Sequence, residues 1–431
     1  MPEYCMVFGS DDEKSLFELG MWKACMESDI RIKAIAGAAF GAINAVLLAQ
    51  GDFEKAIRLW SKASESKVFS DFYDLRRKYS ENFTTPENKE ILKLIRFIVE
   101  ENDPVIERID KLLNDNIDEQ IVRASNTEVY ITTISSSDFS AVVLPISEIP
   151  SGQLIDTLEF GLLAYLFFYI SSDEHEVNIL DDAAYKAVSK KSKKILTPRL
   201  LNSNTLASKY SENEFLIVEN SEYLGFSYTH TFESMKRNIQ IGLLDTLKTF
   251  KILSGKEYYI DMNASSSLFE WFKKYFCISV TDDINQKIGR LLNIHNTEIQ
   301  SNILKGVEVL TNLTRYKNNN IFLSTLETCA ALLYIERAKR YSPDALINEI
   351  IICANNIIQK NYAAIRDEEN IFKAMSGKSE LPSFTDESSP AINMVYFLCA
   401  PVNSNIFMQF INNMKPEMKV AIVALIYLLI Y

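Results

Sequence analysis

Glycine is scarce in this sequence, and the chain also lacks paired cysteines and histidine clusters. There are 13 glycines in 431 residues, about 3%, whereas globular proteins contain about 7%. Few positions are therefore open to turns that need glycine. None of the six cysteines forms a C-x-x-C pair, and only three histidines are present. This pattern favours neither a zinc site nor a disulfide framework, so we expect reduced thiols, no metal and no cofactor.

Positive charge is also limited. The net charge is −12 and the pI is about 5.0, which argues against a nucleic-acid partner. The one basic run, Lys186 to Lys194, is interpreted as a solvated loop. The first residues carry no basic segment of the signal-peptide type, and the most apolar stretch, Val420 to Tyr431, is shorter than the roughly 20 residues that a membrane span needs. We therefore expect a cytoplasmic protein.

The apolar pattern predicts two domains. Short strand-like runs alternate with helical ones up to about residue 264, which favours an α/β fold: a mostly parallel sheet flanked by helices, in a domain covering residues 1–264. Beyond that point only helical periodicity remains, which predicts an all-α C-terminal domain, residues 265–431. The predicted strands are Cys5–Phe8, Ile32–Ala36, Glu128–Ile134, Ala141–Leu144, Val177–Leu180, Glu214–Val218 and Tyr258–Met262.

The most informative stretch runs from Ala34 to Ala45. A strand-like segment is followed by Gly37, Ala39 and Gly41 and then by an Ala- and Leu-rich helical segment. In a G-x-S-x-G nucleophile elbow, the two glycines flank a serine on a sharp strand-to-helix turn. Here Gly37 and Gly41 keep that frame, and a methyl group occupies position 39. The same glycines could instead form only a tight turn.

The turn after the first strand is acidic. Ser10, Asp11, Asp12, Glu13 and Lys14 follow Gly9. A loop that binds an oxyanion through backbone N–H groups favours glycines and no nearby negative charge. The carboxylates in this turn are expected to repel an anion.

Asp181 and Asp182 follow the predicted strand Val177–Leu180. Carboxylates at a strand end can cap the next turn, or one of them can act as a base. The residues alone leave both interpretations open.

Taken together, residues 4–262 resemble the patatin-like phospholipases. Their elbow, G-T-S-x-G-A-[IL]-N-A, corresponds to Gly37 through Ala45 and differs only at Ala38 and Ala39. Their glycine-rich G-G-G-x-[RK]-G oxyanion loop falls on Ser10 to Ser15, where Lys14 alone keeps the chemistry of the motif. Their D-G-[GA] motif falls on Asp181 to Ala183.

The resemblance implies a lipid acyl hydrolase in which a serine at position 39 is the nucleophile and Asp181 is the base of a Ser–Asp dyad. With alanine at position 39, the chain as written should lack this chemistry. The alanine at position 39 can be explained in two ways. Either the protein has lost its activity naturally and remains as a scaffold that binds a lipid, an acyl chain or a partner, or the chain is an active enzyme whose serine has been replaced by alanine. The resemblance and the apolar helices are also compatible with peripheral membrane contact and with homo-oligomerisation through the helical domain.

Overall fold

The computed structural model of the chain describes most of its residues and divides into two compact units. The N-terminal unit is Met1–Phe250 and the C-terminal unit is Lys251–Tyr431. The predicted domains, 1–264 and 265–431, stay a prediction. The described residues are 2–80, 88–101, 103–135, 140–169, 179–198, 210–225, 231–264, 266–276, 278, 280–294, 299–317, 319–362, 390–402 and 404–430.

A six-stranded sheet forms the centre of the N-terminal unit. Its order is β4-β3-β2-β1-β5-β6, and every neighbouring pair is parallel except β3 and β4. β1 and β2 are buried almost throughout, as expected for parallel strands covered on both faces. The fold is therefore the mostly parallel, helix-flanked sheet expected from the sequence. The strands are β1 Glu3–Phe8, β2 Arg31–Ala38, β3 Glu128–Ile134, β4 Ala141–Pro145, β5 Lys194–Pro198 and β6 Glu214–Val218.

Ten described α-helices accompany this sheet in the N-terminal unit. A π-helical turn, Tyr165–Tyr169, continues α8, and short 3₁₀ turns cover Asp12–Lys14 and Ile146–Glu148. The helices are α1 Ser15–Glu27, α2 Phe40–Gln50, α3 Phe53–Glu65, α4 Val68–Ser80, α5 Asn88–Glu100, α6 Pro104–Asn116, α7 Glu119–Arg123, α8 Leu154–Ala164, α9 Ile179–Ser189 and α10 Phe232–Thr249.

In the N-terminal unit, one strand prediction was wrong and one strand was missed. Ile179 and Leu180, expected at the end of a strand, begin helix α9; Val177 and Asn178 lie outside the described residues. Asp181 and Asp182 therefore lie in the first turn of a helix, where the helix dipole favours negative charge. The strand that was missed is β5, which begins at Lys194, the last residue of the basic run, and lies between β1 and β6.

Helices α1 and α10 approach each other closely at two glycines. A Cβ atom at Gly20 would lie 2.1 Å from the Ile239 carbonyl oxygen, and one at Gly242 would lie 2.1 Å from the Phe17 carbonyl oxygen. Real Cβ contacts are never this short, so only glycine permits the two backbones to pack here. Two of the few glycines are thus used for helix packing.

The C-terminal unit is helical and also contains one short parallel sheet. β7, Tyr259–Ile260, pairs with β8, Arg340–Tyr341. The expectation that residues 258–262 add a strand to the large sheet was therefore wrong, as was the expectation of helix between Leu333 and Arg340. The described helices are Ser267–Tyr275, Asp282–Leu291, Ile299–Asn312, Ile321–Leu332, Pro343–Lys360, Pro390–Cys399, Asn405–Asn413 and Pro416–Ile430.

The most apolar helix of this unit, Pro416–Ile430, is enclosed in its core. Val420 through Ile426 are fully buried, together with Ile347 and Ile350. These side chains are satisfied by packing within the unit, so they give no support to an oligomer, and homo-oligomerisation stays a prediction. Among the described residues, no helix is both long and apolar enough to span a membrane.

Candidate active site

Ala39 occupies the sharp turn between β2 and α2. Its backbone angles are φ 46° and ψ −114°, a conformation that L-residues rarely adopt and that costs about 1–3 kcal/mol. Such strain is a feature of nucleophile elbows, in which the central side chain must project from the end of a strand. The strand-to-helix turn expected from the sequence is therefore present.

Gly37 and Gly41 are required by close backbone contacts. A Cβ atom at Gly37 would lie 2.3 Å from the Gly41 carbonyl oxygen, and one at Gly41 would lie 2.2 Å from the Gly9 carbonyl oxygen. The start of α2 is thus pressed against the end of β1. This contact brings the elbow and the acidic turn together at the carboxyl edge of the sheet, the usual place for sites in parallel α/β folds.

The acidic turn is held by its own carboxylates. Asp11 forms an ion pair with Lys14 at 3.6 Å and accepts a hydrogen bond from the Tyr165 hydroxyl at 3.2 Å. Asp12 is buried and is hydrogen-bonded to the Tyr73 hydroxyl. Burial, together with these carboxylates, raises the pKa of both tyrosines. The side chains expected to repel an anion are therefore fixed in place.

Glu18 and Asn44 connect this turn to the elbow helix, and the sequence interpretation did not single out either residue for such a role. The Gly9 N–H donates to Glu18 Oε1 at 2.7 Å, and Asn44 Nδ2 donates to Glu18 Oε2 at 3.0 Å and to the Ser15 carbonyl oxygen at 2.8 Å. Burial raises the pKa of the Glu18 carboxyl well above its ordinary value. A single acidic residue in the apolar run from Leu16 to Trp22 was the available signal.

Asp181 lies under the same turn. The Ser10 N–H donates to Asp181 Oδ1 at 3.3 Å, and the Ser10 hydroxyl also hydrogen-bonds this carboxyl. Burial, with a contribution from Asp11, raises the pKa of Asp181 to about 8. Leu180 and Ala38, the residues immediately before Asp181 and Ala39, pack in one apolar cluster. The dyad role of Asp181 stays a prediction, and its observed partner is Ser10.

The family comparison extends over much of the N-terminal unit. Residues 13–210 match the model of a family described as patatin-like phospholipase. Over these residues the chain is similar to the patatin-like phospholipase family. The match is shorter than the expected 4–262, and it includes the elbow and Asp181 but begins after Asp12.

Comparison with solved structures gives distant matches. The crystal structure of the type III effector protein ExoU is 13% identical and covers 98% of this chain and 93% of its own, with a TM-score of 0.29. The ExoU–SpcU complex from the type III secretion system of Pseudomonas aeruginosa is 12% identical and covers 99% of this chain and 89% of its own, with a TM-score of 0.32. VipD from Legionella pneumophila is 10% identical and covers 94% of this chain and 93% of its own, with a TM-score of 0.28. No curated protein matches.

Compared with the patatin-like pattern, the site retains the backbone geometry of the elbow but differs in the side chain at the nucleophile position and in the loop after β1. The elbow glycines, the strained turn and an aspartate near the carboxyl edge are present. Position 39 carries a methyl group, and the loop after β1 carries carboxylates. Within the described part of the chain, no group of His, Cys, Asp and Glu side chains is arranged to hold a metal ion.

Proposed function

We propose that this chain is a patatin-like phospholipase homologue that does not hydrolyse esters as written, and that its fold acts as a scaffold for a lipid, an acyl chain or a protein partner. One observation carries the proposal beyond the missing hydroxyl at position 39. The N–H groups of Gly9 and Ser10, at the loop that supplies the oxyanion hole in the family pattern, already donate to Glu18 and Asp181.

Hydrolysis requires those donors to face the reacting carbonyl. An oxyanion hole works because preorganised N–H groups meet charge as it develops, and losing one donor costs about 10²- to 10³-fold in rate. Here the two donors are bonded to buried carboxyls, and Asp11 and Asp12 add negative charge to the same turn. The loop therefore disfavours an oxyanion even with a nucleophile present.

A second candidate, an active Ser–Asp hydrolase in which alanine has replaced the serine, is favoured by the elbow itself. Ala39 retains the strained turn, and Asp181 has a pKa of about 8. A base with a pKa near neutrality is well matched to proton abstraction. Under this alternative, the loop must supply donors in another arrangement when substrate binds.

The variant Ala39→Ser separates the two candidates. Serine adds one oxygen to alanine and imposes no new demand on the backbone, so the variant should fold like the parent. We expect its hydrolysis of short-chain p-nitrophenyl esters and of phospholipid vesicles to remain within tenfold of the parent protein. The matched control is Ala39→Ser combined with Asp181→Asn.

Turnover by Ala39→Ser several hundredfold above the parent, abolished in the double variant, would support the active-enzyme alternative and reject the scaffold. Peripheral membrane contact and a cytoplasmic location remain predictions. Vesicle co-sedimentation of the parent protein tests the first of these without any chemistry at position 39.

A further inference from the structure

A second feature of the N-terminal unit is a cavity of about 460 Å³ between α5, α8 and the β3–β4 pair. This volume lies in the range of roughly 300–1,000 Å³ that small-molecule sites occupy. Much of its wall is hydrocarbon, from Ile95 and Val99 on α5, Ile134 and Leu144 on the strands, and Phe160 on α8. Neither Ala39 nor Asp181 is among its described lining residues.

Two polar side chains in this wall are buried and unsatisfied. Thr133 and Glu159 are 4% and 8% exposed. Within the described part of the chain, Thr133 Oγ1 and Glu159 Oε1 are buried and have no hydrogen-bond partner. Buried polar atoms are nearly always paired. Both atoms belong to residues that line one apolar cavity, a combination that suits a ligand with hydrogen-bond donors at one end and an apolar body.

The charges around Glu159 indicate whether the polar end of the ligand is positive or negative. Asp156 on α8 and Glu100 on α5 also line the cavity, and Arg96 is the one cationic side chain among its described lining residues. Burial, followed by the nearby carboxylates of Asp110 and Asp156, raises the pKa of Glu159 to about 8. Negative charge thus exceeds positive charge, and a cation close to Glu159 would relieve the cost of ionising it.

We propose that this cavity binds an amphipathic primary amine, with the ammonium group between Glu159 and Thr133 and the hydrocarbon chain against Ile134, Leu144 and Phe160. An ammonium carries three N–H donors, so it can donate to both unsatisfied oxygens. This inference does not rest on the proposed function, because binding requires neither Ala39 nor any hydrolysis.

The proposal fixes a pH dependence. Below pH 8, Glu159 carries a proton that must leave when an ammonium binds, whereas the amine remains protonated up to a pKa near that of lysine, about 10.4. Affinity should therefore rise up to about tenfold per pH unit between pH 6 and pH 8 and then level off. About one proton should be released per amine bound at pH 6.5.

Isothermal titration with decylamine, decan-1-ol and decanoate below their micellar concentrations tests this directly. Decylamine should bind at least tenfold more tightly than decan-1-ol at pH 8, and titration in buffers of different ionisation enthalpy should reveal the released proton. Glu159→Gln should weaken decylamine binding at least tenfold and abolish the proton release. Thr133→Val should weaken binding severalfold and leave the release intact.

Glu101→Gln is the matched control, because Glu101 is exposed just after α5 and is not among the described cavity-lining residues, so its replacement should change affinity less than threefold. Melting curves establish that the variants are folded. Absence of decylamine binding, or equal binding by Glu159→Gln, would overturn the proposal. So would stronger binding of decanoate that depends on Arg96, since the cavity would then be an anion site, or equal binding of decan-1-ol, since the charge would then play no part.

Discussion

Replacing Asp181 by asparagine should change how the stability of the N-terminal unit depends on pH. Asp181 is 2% exposed, and burial followed by the charge of Asp11 raises its pKa from 3.8 to about 8. Asparagine has nearly the same shape and keeps an oxygen that can accept from the Ser10 N–H. The substitution therefore removes the ionisation while preserving the observed backbone hydrogen bond.

The sign and size of this change in the free energy of unfolding follow from proton linkage. A carboxyl whose pKa is higher in the folded state stabilises that state fully below pH 3.8, and this contribution is lost as pH rises towards 8. Over this interval the unfolded chain is ionised while the folded chain keeps one proton, so the slope is about 1.4 kcal/mol per pH unit. Between pH 5 and pH 7, the parent should lose about 3 kcal/mol relative to Asp181→Asn.

The positions of the tryptophans allow the stability of the N-terminal unit to be measured separately from that of the C-terminal unit. Trp22 and Trp60 belong to the N-terminal unit and Trp271 to the C-terminal unit. In a Trp271→Phe background, fluorescence during urea unfolding reports the N-terminal unit alone. Free energies of unfolding at pH 4, 5, 6 and 7, with and without Asp181→Asn, provide the comparison.

The two proteins should have similar stabilities at pH 4 and diverge as pH rises, with the variant the more stable. Glu159→Gln is the companion variant, because Glu159 also has a pKa raised to about 8 and should give a similar, independent change in slope. Parallel pH profiles for Asp181→Asn and its parent would refute the conclusion that Asp181 is protonated in its buried position.

Two further predictions concern packing around the site. Gly242→Ala would place a Cβ atom 2.1 Å from the Phe17 carbonyl oxygen. Alanine gains about 1 kcal/mol in helix propensity, but the clash is larger, so we expect a net loss of about 2 kcal/mol in the free energy of unfolding. Gly161→Ala in α8 is its control, because the nearest atom that this Cβ would meet lies 4.0 Å away; it should be neutral or stabilising, and equal effects of the two substitutions would contradict the close α1–α10 packing. Trp60→Phe removes the Nε1–H donor to Asn44 Oδ1 at 2.9 Å and should cost about 2–3 kcal/mol by chemical denaturation followed by circular dichroism; an unchanged midpoint would show that this hydrogen bond contributes nothing.

Local features of the fold could be predicted because neighbouring residues encode them. The β3–β4 pair agrees with the predicted strands to within one residue, since two β-branched runs are separated by a turn-forming segment. The elbow was equally local, because an apolar strand, two glycines and an Ala-rich helix follow one another. By contrast, Ile179 and Leu180 are too short an apolar run to distinguish strand from helix.

The sequence by itself determined the elbow frame at Gly37, Ala39 and Gly41 and the absence of a nucleophile there, because turn geometry and side-chain chemistry are written in consecutive residues. Only the tertiary structure decided what the loop after β1 does. Ser10 is 171 residues from its partner Asp181, and a hydrogen bond across that separation depends on which elements pack together. Local propensity cannot encode such a pair, because it exists only after β1, α2 and α9 have met at one edge of the sheet.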